Sequence, residues 1–273
     1  MKQGFVKVAS ATPRIRVADP VYNAQVICEQ AKEAAEHGAK IVVFPELCIT
    51  GYTCNDHFFA RTFVGKSKEA LLTIAEETGQ LETLFLVGLP VDKDGRLYNV
   101  AAVLYRGRIL GMIPKKNIPM YAEFYEGRHF TPGEETVTEY RLGKQVIPFG
   151  SNLLFRCEEL PELILGCELC EDLWVAEPPS TSHALMGATV IANLSASNET
   201  VSKDDYRTLL IKASSARLLC GYIYTSAGEG ESTQDLVFGG HDLIAENGTL
   251  LVQSARFTTG ILYTDLDVLK SKQ

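Results

Sequence analysis

The sequence predicts an α/β protein in which two β-sheets pack face to face with helices outside, a four-layer αββα sandwich. Three features carry that expectation. Strand-like runs first alternate with helical ones and then gather in pairs. Several of the strand runs are apolar throughout, as strands covered on both faces are. No stretch rich in Pro, Gly or Ser and no block of charge divides the 273 residues, so residues 1–273 are expected to form a single domain.

Residues 5–9 form a short β-rich run. Residues 23–36 place Val26, Ile27, Ala31, Ala34 and Ala35 at helical spacing, with Gly38 as the stop. Residues 40–44 (KIVVF) are a continuous apolar run ending at Pro45, which predicts a buried strand. A second amphipathic helix is predicted over 66–78, then strands over 84–90, 98–105 and 109–113, the last two joined in a hairpin at Arg106-Gly107. Residues 114–150 show no clear period, and a loop that long inside a domain is usually functional. Strands follow at 152–155 and 163–167, a helix at 182–186 and a buried strand at 189–193. The best amphipathic helix spans 204–219, with Ser202 as its N-cap and Gly221 beyond its end. Short strands at 222–225, 241–244, 250–253 and 259–263 close the chain, and Asn247-Gly248 is a strong hairpin turn between two of them.

Composition narrows the function classes. The chain is 46% hydrophobic and 22% charged, with a net charge of −8, which argues against nucleic acid or an anionic membrane as partner because both need a basic footprint. No run of 18 or more apolar residues is present, so no membrane-spanning helix is expected. Residues 1–17 lack an apolar core with a small-residue cleavage site, so they do not read as a signal peptide. Seven cysteines, an odd number in a long chain, argue against a secreted disulfide framework and for reduced thiols in the cytoplasm.

Three segments end a buried run on an ionisable residue: Phe44-Pro45-Glu46-Leu47, Ile113-Pro114-Lys115, and Gly166-Cys167-Glu168-Leu169-Cys170-Glu171-Asp172. Reactive groups collect at strand ends, where the sheet fixes position and the loop leaves access. A cysteine, a glutamate and a lysine together can hydrolyse an amide. A carboxylate in hydrogen-bond reach takes the thiol proton as the sulfur attacks, and the same group then protonates the leaving ammonia. An ammonium aimed at the substrate oxygen stabilises the tetrahedral oxyanion by a few kcal/mol, to order of magnitude. Sequence spacing alone does not show that the three meet.

These segments resemble the nitrilase (carbon-nitrogen hydrolase) superfamily, whose enzymes carry a Glu–Lys–Cys triad on an αββα sandwich. FPELCITGY matches the family's glutamate segment, which implies Glu46 as base. PKKNIP matches its lysine segment and implies Lys115 as the oxyanion-stabilising residue, not Lys116. CEDLW matches its cysteine segment and implies Cys170 as nucleophile, not Cys167. The similarity is closest to one branch, the glutaminase domain of bacterial glutamine-dependent NAD synthetases, through YAEFYEGRHF at 121–130, NLSASNETVSK at 193–203 and AGEGESTQDLVFGG at 227–240. The resemblance runs from about residue 4 to about residue 265. It implies L-glutamine as substrate, Glu126 as a second glutamate near the catalytic cluster, Tyr121 in the substrate pocket, and Glu171, Ser197 and Lys203 as substrate-holding residues. An α-ammonium needs a carboxylate or carbonyls, and an α-carboxylate needs a cation and a hydroxyl. Some relatives have arginine where Lys203 stands; lysine keeps the charge but loses the bidentate fork.

The branch's ATP-binding synthetase domain, with its Ser-Gly-Gly-x-Asp-Ser loop, has no counterpart here, and neither GxxxxGK nor GxGxxG occurs. The chain ends at Gln273, where the family's linker would begin, so excision from a longer protein is expected. ATP and magnesium would serve the synthetase domain, and no cofactor or metal is expected for this one. The resemblance also implies a homo-oligomer. Two other chemistries are weaker. Cys167-x-x-Cys170 lacks a second CxxC or a nearby HxxxH to complete a zinc site, and no G-x-S-x-G elbow supports a serine hydrolase. Within the superfamily the alternative is a free-standing amidase or carbamoyl-amine hydrolase, which would not need the amino-acid anchor of Ser197, Lys203 and Glu171.

Overall fold

The protein is described from a computed structural model over residues 3–270. In chain order the elements are β1 (Phe5–Thr12), α1 (Pro20–Glu36), β2 (Ile41–Val43), α2 (Arg61–Glu77), β3 (Leu84–Lys93), β4 (Arg96–Tyr105), β5 (Arg108–Pro114), β6 (Thr138–Leu142), β7 (Gln145–Phe149), β8 (Leu154–Arg156), β9 (Ile164–Leu169), α3 (Pro179–Leu185), β10 (Val190–Ser195), α4 (Lys203–Leu218), β11 (Gly221–Ser226), β12 (Leu243–Glu246), β13 (Thr249–Gln253) and β14 (Gly260–Asp267). One sheet runs β14-β1-β2-β3-β4-β5-β7-β6 and the other β13-β12-β11-β10-β9-β8. Parallel pairing aligns β1, β2 and β3 in one sheet and β9, β10 and β11 in the other, and the Glu46 N–H, bonded to the Ser195 carbonyl at 3.3 Å, brings the C-terminal ends of β2 and β10 together across the sheets.

The apolar runs explain the layering. Along β1, Val6 and Val8 face the second sheet, whereas Ala9 and Ala11 face the helices. β2 divides the same way, Ile41 and Val43 inward and Val42 toward α1 and α2. Strands buried on both faces cannot alternate apolar with polar, hence KIVVF. Leu86, Val103, Leu165, Val190, Leu194 and Ile223 join the layer between the sheets. Each such side chain contributes roughly 1.5–3 kcal/mol by leaving water. α1 and α2 cover the first sheet through Ile27, Ala31, Leu71 and Ile74, and α4 covers the second through Ile211.

The expected turns hold. Arg106-Gly107 (φ 47° and 75°) and Asn247-Gly248 (φ 46° and 85°) both take positive φ at two central residues, the twist that joins antiparallel strands tightly. Gly38 follows α1 with φ 84°. Three expectations change. Residues 114–150 are not a loop throughout: β6 and β7 form a hairpin closed by Gly143-Lys144. The helix expected at 182–186 runs from Pro179 to Leu185. Ser202 does precede α4, but its backbone is left-handed (φ 64°) and its hydroxyl makes no capping bond, so the cap is positional only. No helix among the described residues is long and apolar enough to cross a membrane.

Candidate active site

Glu46 lies just beyond β2, where Phe44 still pairs with the sheet through its N–H to the Leu86 carbonyl at 2.9 Å. The chain then turns sharply, Leu47 taking φ 51°. That turn fits against β3 because residue 88 is glycine; a Cβ there would come within 2.3 Å of the Leu47 nitrogen. The turn holds the Glu46 carboxyl fully buried. Its Oε1 accepts from Asn99 Nδ2 at 2.6 Å and Lys115 Nζ at 2.7 Å, and its Oε2 accepts from the Ala196 amide at 2.9 Å.

Lys115 leaves β5 with its backbone N–H bonded to the Asn99 carbonyl at 2.8 Å. Its ammonium is fully buried and bridges two carboxylates, Glu46 Oε1 and Glu126 Oε1, each at 2.7 Å. Tyr52 donates its hydroxyl to Glu126 Oε1 at 2.8 Å. Two carboxylates around one ammonium leave a net negative charge in a low-dielectric space, and each amide or hydroxyl donor offsets part of that cost.

Cys170 opens a short turn at the end of β9 and is left-handed, φ 42°. A non-glycine residue held there stores on the order of 1–3 kcal/mol, and surrounding structure must hold it. Here the Cys170 amide donates to Asn193 Oδ1 at 3.2 Å, and Ser195 Oγ donates to the same oxygen at 2.7 Å. Asp172 ties the Cys170 turn to the loop after Lys115: it accepts from the Leu169 amide at 3.0 Å and from the Asn117 backbone and side-chain nitrogens at 2.8 Å each.

The electrostatics follow from burial. Desolvation raises the Glu46 carboxyl to about 7, despite the opposing Lys115 ammonium. Burial works against the Lys115 charge, but Glu126 and Glu46 outweigh it and hold the ammonium well above its usual range. Burial, followed by the Glu46 carboxylate, pushes the Cys170 thiol up, against the pull of Lys115. At neutral pH the resting site therefore holds a thiol beside a carboxyl group near its own midpoint, with a permanent cation between two acids. A thiol in such surroundings is not a preformed thiolate, so it would need a base to take its proton as it attacked.

One cavity of about 410 Å³ is lined by Cys170 together with Tyr121, Glu171, Ser197 and Lys203. Glu171 accepts from the Tyr121 hydroxyl at 2.9 Å. Lys203 bonds Asn198 Oδ1 and stands over the Trp174 and Phe124 rings at 5.2 and 5.7 Å. The cavity thus offers a carboxylate and an ammonium on separate elements with the thiol among its walls. The structure brings all eight sequence-predicted residues to this cavity or to the cluster of Glu46 and Lys115. Glu126 stands in that cluster, paired with Lys115, and also lines a second cavity of about 50 Å³. Cys167 packs between the sheets, where burial raises its thiol well above the ordinary value.

Sequence reasoning missed Asn99, Tyr52, Asn193 and Asp172. Asn99 had a visible signal: it is a polar residue inside the apolar run Leu97 to Leu104, and the fold buries it completely. Its Oδ1 has no hydrogen-bond partner among the described residues. The other three act through contacts far apart in the chain, which spacing does not reveal.

The carbon-nitrogen hydrolase family profile matches residues 7–272. Glutamine-dependent NAD(+) synthetase of Mycobacterium tuberculosis is 41% identical over 267 residues, covering 98% of this chain and 39% of that protein. The protein of the same name from Thermotoga maritima is 31% identical over 272 residues, covering 98% of this chain and 43% of its own length. The crystal structure of a glutamine-dependent NAD(+) synthetase from Cytophaga hutchinsonii superposes with a TM-score of 0.87 at 27% identity, over 96% of this chain and 43% of that one. An amidase from Nesterenkonia sp. AN1 superposes with a TM-score of 0.77 at 20% identity, over 99% and 94% of the two chains, which speaks for shared fold alone. The chain spans about two fifths of the length of the synthetases it matches.

Proposed function

The chain belongs to the carbon-nitrogen hydrolase family, and from that premise we propose that it is a glutaminase acting as the glutamine-hydrolysing portion of a glutamine-dependent NAD⁺ synthetase. The observation that carries this reading is the one cavity that joins the Cys170 thiol to Glu171 and Lys203, two opposite charges suited to the two ends of an α-amino acid. A cavity of about 410 Å³ lies in the range of small-molecule sites.

In the proposed reaction L-glutamine binds with its α-ammonium at Glu171 and its α-carboxylate at Lys203 and Ser197. The Cys170 sulfur attacks the side-chain amide carbon while Glu46 takes the thiol proton. Lys115 stabilises the oxyanion. The C–N bond breaks as Glu46 returns its proton to the leaving ammonia, leaving a γ-glutamyl thioester. Water, deprotonated by Glu46, then releases glutamate and the free thiol. These steps need no cofactor. The ammonia would pass to an ATP- and magnesium-using synthetase domain that amidates nicotinic acid adenine dinucleotide. A cytoplasmic, homo-oligomeric assembly is part of the same reading.

Substrate selectivity tests it. Ammonia release should be readily measured with L-glutamine and at least about tenfold slower with γ-aminobutyramide, which lacks only the α-carboxylate. Equal turnover of simple aliphatic amides would instead favour the amidase alternative.

The pH dependence adds a second test. Glu46 must be ionised to accept the thiol proton, and its carboxyl is raised to about 7. Activity at low substrate should therefore rise with pH through a midpoint near 7, and fall as Glu46 becomes protonated below it. A rate already flat from pH 5 upward would show that this carboxyl is not the base.

A further inference from the structure

Arg207 is the largest fully buried side chain among the described residues, yet it lies outside the cavity lining. It projects from α4 one turn beyond Lys203, so both cations face the loop formed by residues 197–199. Its Nη1 donates to Glu199 Oε1 at 2.8 Å and stands 3.0 Å from His241 Nδ1. Its Nη2 donates to Ser197 Oγ at 3.3 Å and to the Asn198 carbonyl at 3.2 Å. A guanidinium has five donors and no acceptor. Each atom it touches is therefore fixed as an acceptor. His241 Nδ1 carries no proton, in keeping with a ring held neutral by burial and by Arg207 itself.

The same logic applied to Ser197 has a chemical consequence. Its oxygen accepts from Arg207, so its own proton is left to be donated elsewhere, and Ser197 lines the cavity. Lys203 does the equivalent for the neighbouring residue by occupying Asn198 Oδ1. A buried ion pair is weak support for stability, since apolar side chains of similar volume often serve as well. The directed donors account for its presence better than stability does.

We propose that Arg207 is the positioning residue that turns the Ser197 hydroxyl into a donor aimed at a carboxylate on the substrate, and so sets the preference for an amide that carries one. This rests on the glutaminase reading of the cavity. Arg207 does not touch the substrate; it acts through Ser197 and the Asn198 backbone.

Two reagents that alkylate Cys170 separate this role from a structural one. Iodoacetamide has no carboxylate, whereas a diazoketone analogue of L-glutamine has one. In the Arg207→Met variant, and to a smaller degree in Arg207→Lys, diazoketone labelling should slow about tenfold or more relative to wild type, as loss of a charge-assisted hydrogen bond predicts. Iodoacetamide labelling of the same cysteine should stay within about twofold, because the thiol and its base are untouched. Ser197→Ala should reproduce the selective loss, and the double variant should lose no more than Arg207→Met alone, since the two changes remove one interaction. Equal slowing with both reagents would mean that Arg207 only holds the fold, and additive losses would mean that it does not act through Ser197; either overturns the proposal. A wild-type chain that the diazoketone leaves unlabelled overturns the glutaminase reading and this role with it, whereas a labelled wild type with unchanged variants overturns this role alone.

Discussion

Replacing Cys170 by alanine should lower glutamine turnover by on the order of 10⁴-fold or more, the scale on which loss of a nucleophile acts when the remaining site cannot substitute for it. The protein should stay folded, since the thiol makes no hydrogen bond as a donor and its removal leaves only a small gap facing an open cavity. The strained backbone at residue 170 (φ 42°) suits alanine no worse than cysteine, and the Asn193 bond to the amide is retained. Ammonia release and binding of glutamine by calorimetry should therefore part company, with binding surviving and hydrolysis lost. Cys167→Ala gives the contrast. That side chain fills the layer between the sheets, so its loss should cost stability, roughly 1 kcal/mol for one buried sulfur-sized group, and leave the chemistry in place. If the two variants exchange these phenotypes, the assignment of the nucleophile is wrong.

The same comparison shows which parts of the site could be read from the chain. FPEL, PKK and CEDLW each end an apolar run on an ionisable residue, so the three groups are legible in the sequence as strand-end residues. Sandwich architecture was legible for a similar reason: β1, β2 and β3 bury both faces, and that requirement removes polar residues from the run. The β6–β7 hairpin was hidden because only one face is covered. In Thr138–Leu142, Tyr140 and Leu142 are buried while their neighbours are exposed, a five-residue alternation too short to stand out, although Gly143 marks its turn. Arg207 was hidden differently. A cation on an amphipathic helix normally belongs to the wet face, and only the position of Glu199, Ser197 and His241 in space explains why this one is inside. Asn99 and Tyr52 likewise acquire meaning only when two distant carboxylates are brought to one ammonium.

Lys115→Met should abolish turnover and, unlike the change at Cys170, also destabilise the protein. The ammonium is the shared partner of Glu46 and Glu126. Removing one member of a buried ionic cluster costs about 3–5 kcal/mol because it leaves uncompensated charge, which for a domain of this size is a melting-temperature drop of roughly 10 °C. The sign of its pH dependence follows from linkage. Glu46 is already raised to about 7 with Lys115 pulling it down; without the lysine it rises further. A carboxyl whose folded pKa exceeds its unfolded value of about 4.3 contributes fully below that value and loses its contribution as pH climbs through the folded pKa. The variant should therefore be nearest to wild type from pH 5 to about 7, where a protonated carboxyl can sit neutral in the cluster of either protein, and fall behind as pH rises above about 7 toward 8. Adding Glu126→Gln should recover much of the loss, because a single carboxyl then occupies the space that two shared. A melting-temperature gap that stays constant from pH 5 to 8, unaffected by the second substitution, would mean that the cluster's charge is compensated by something other than Lys115.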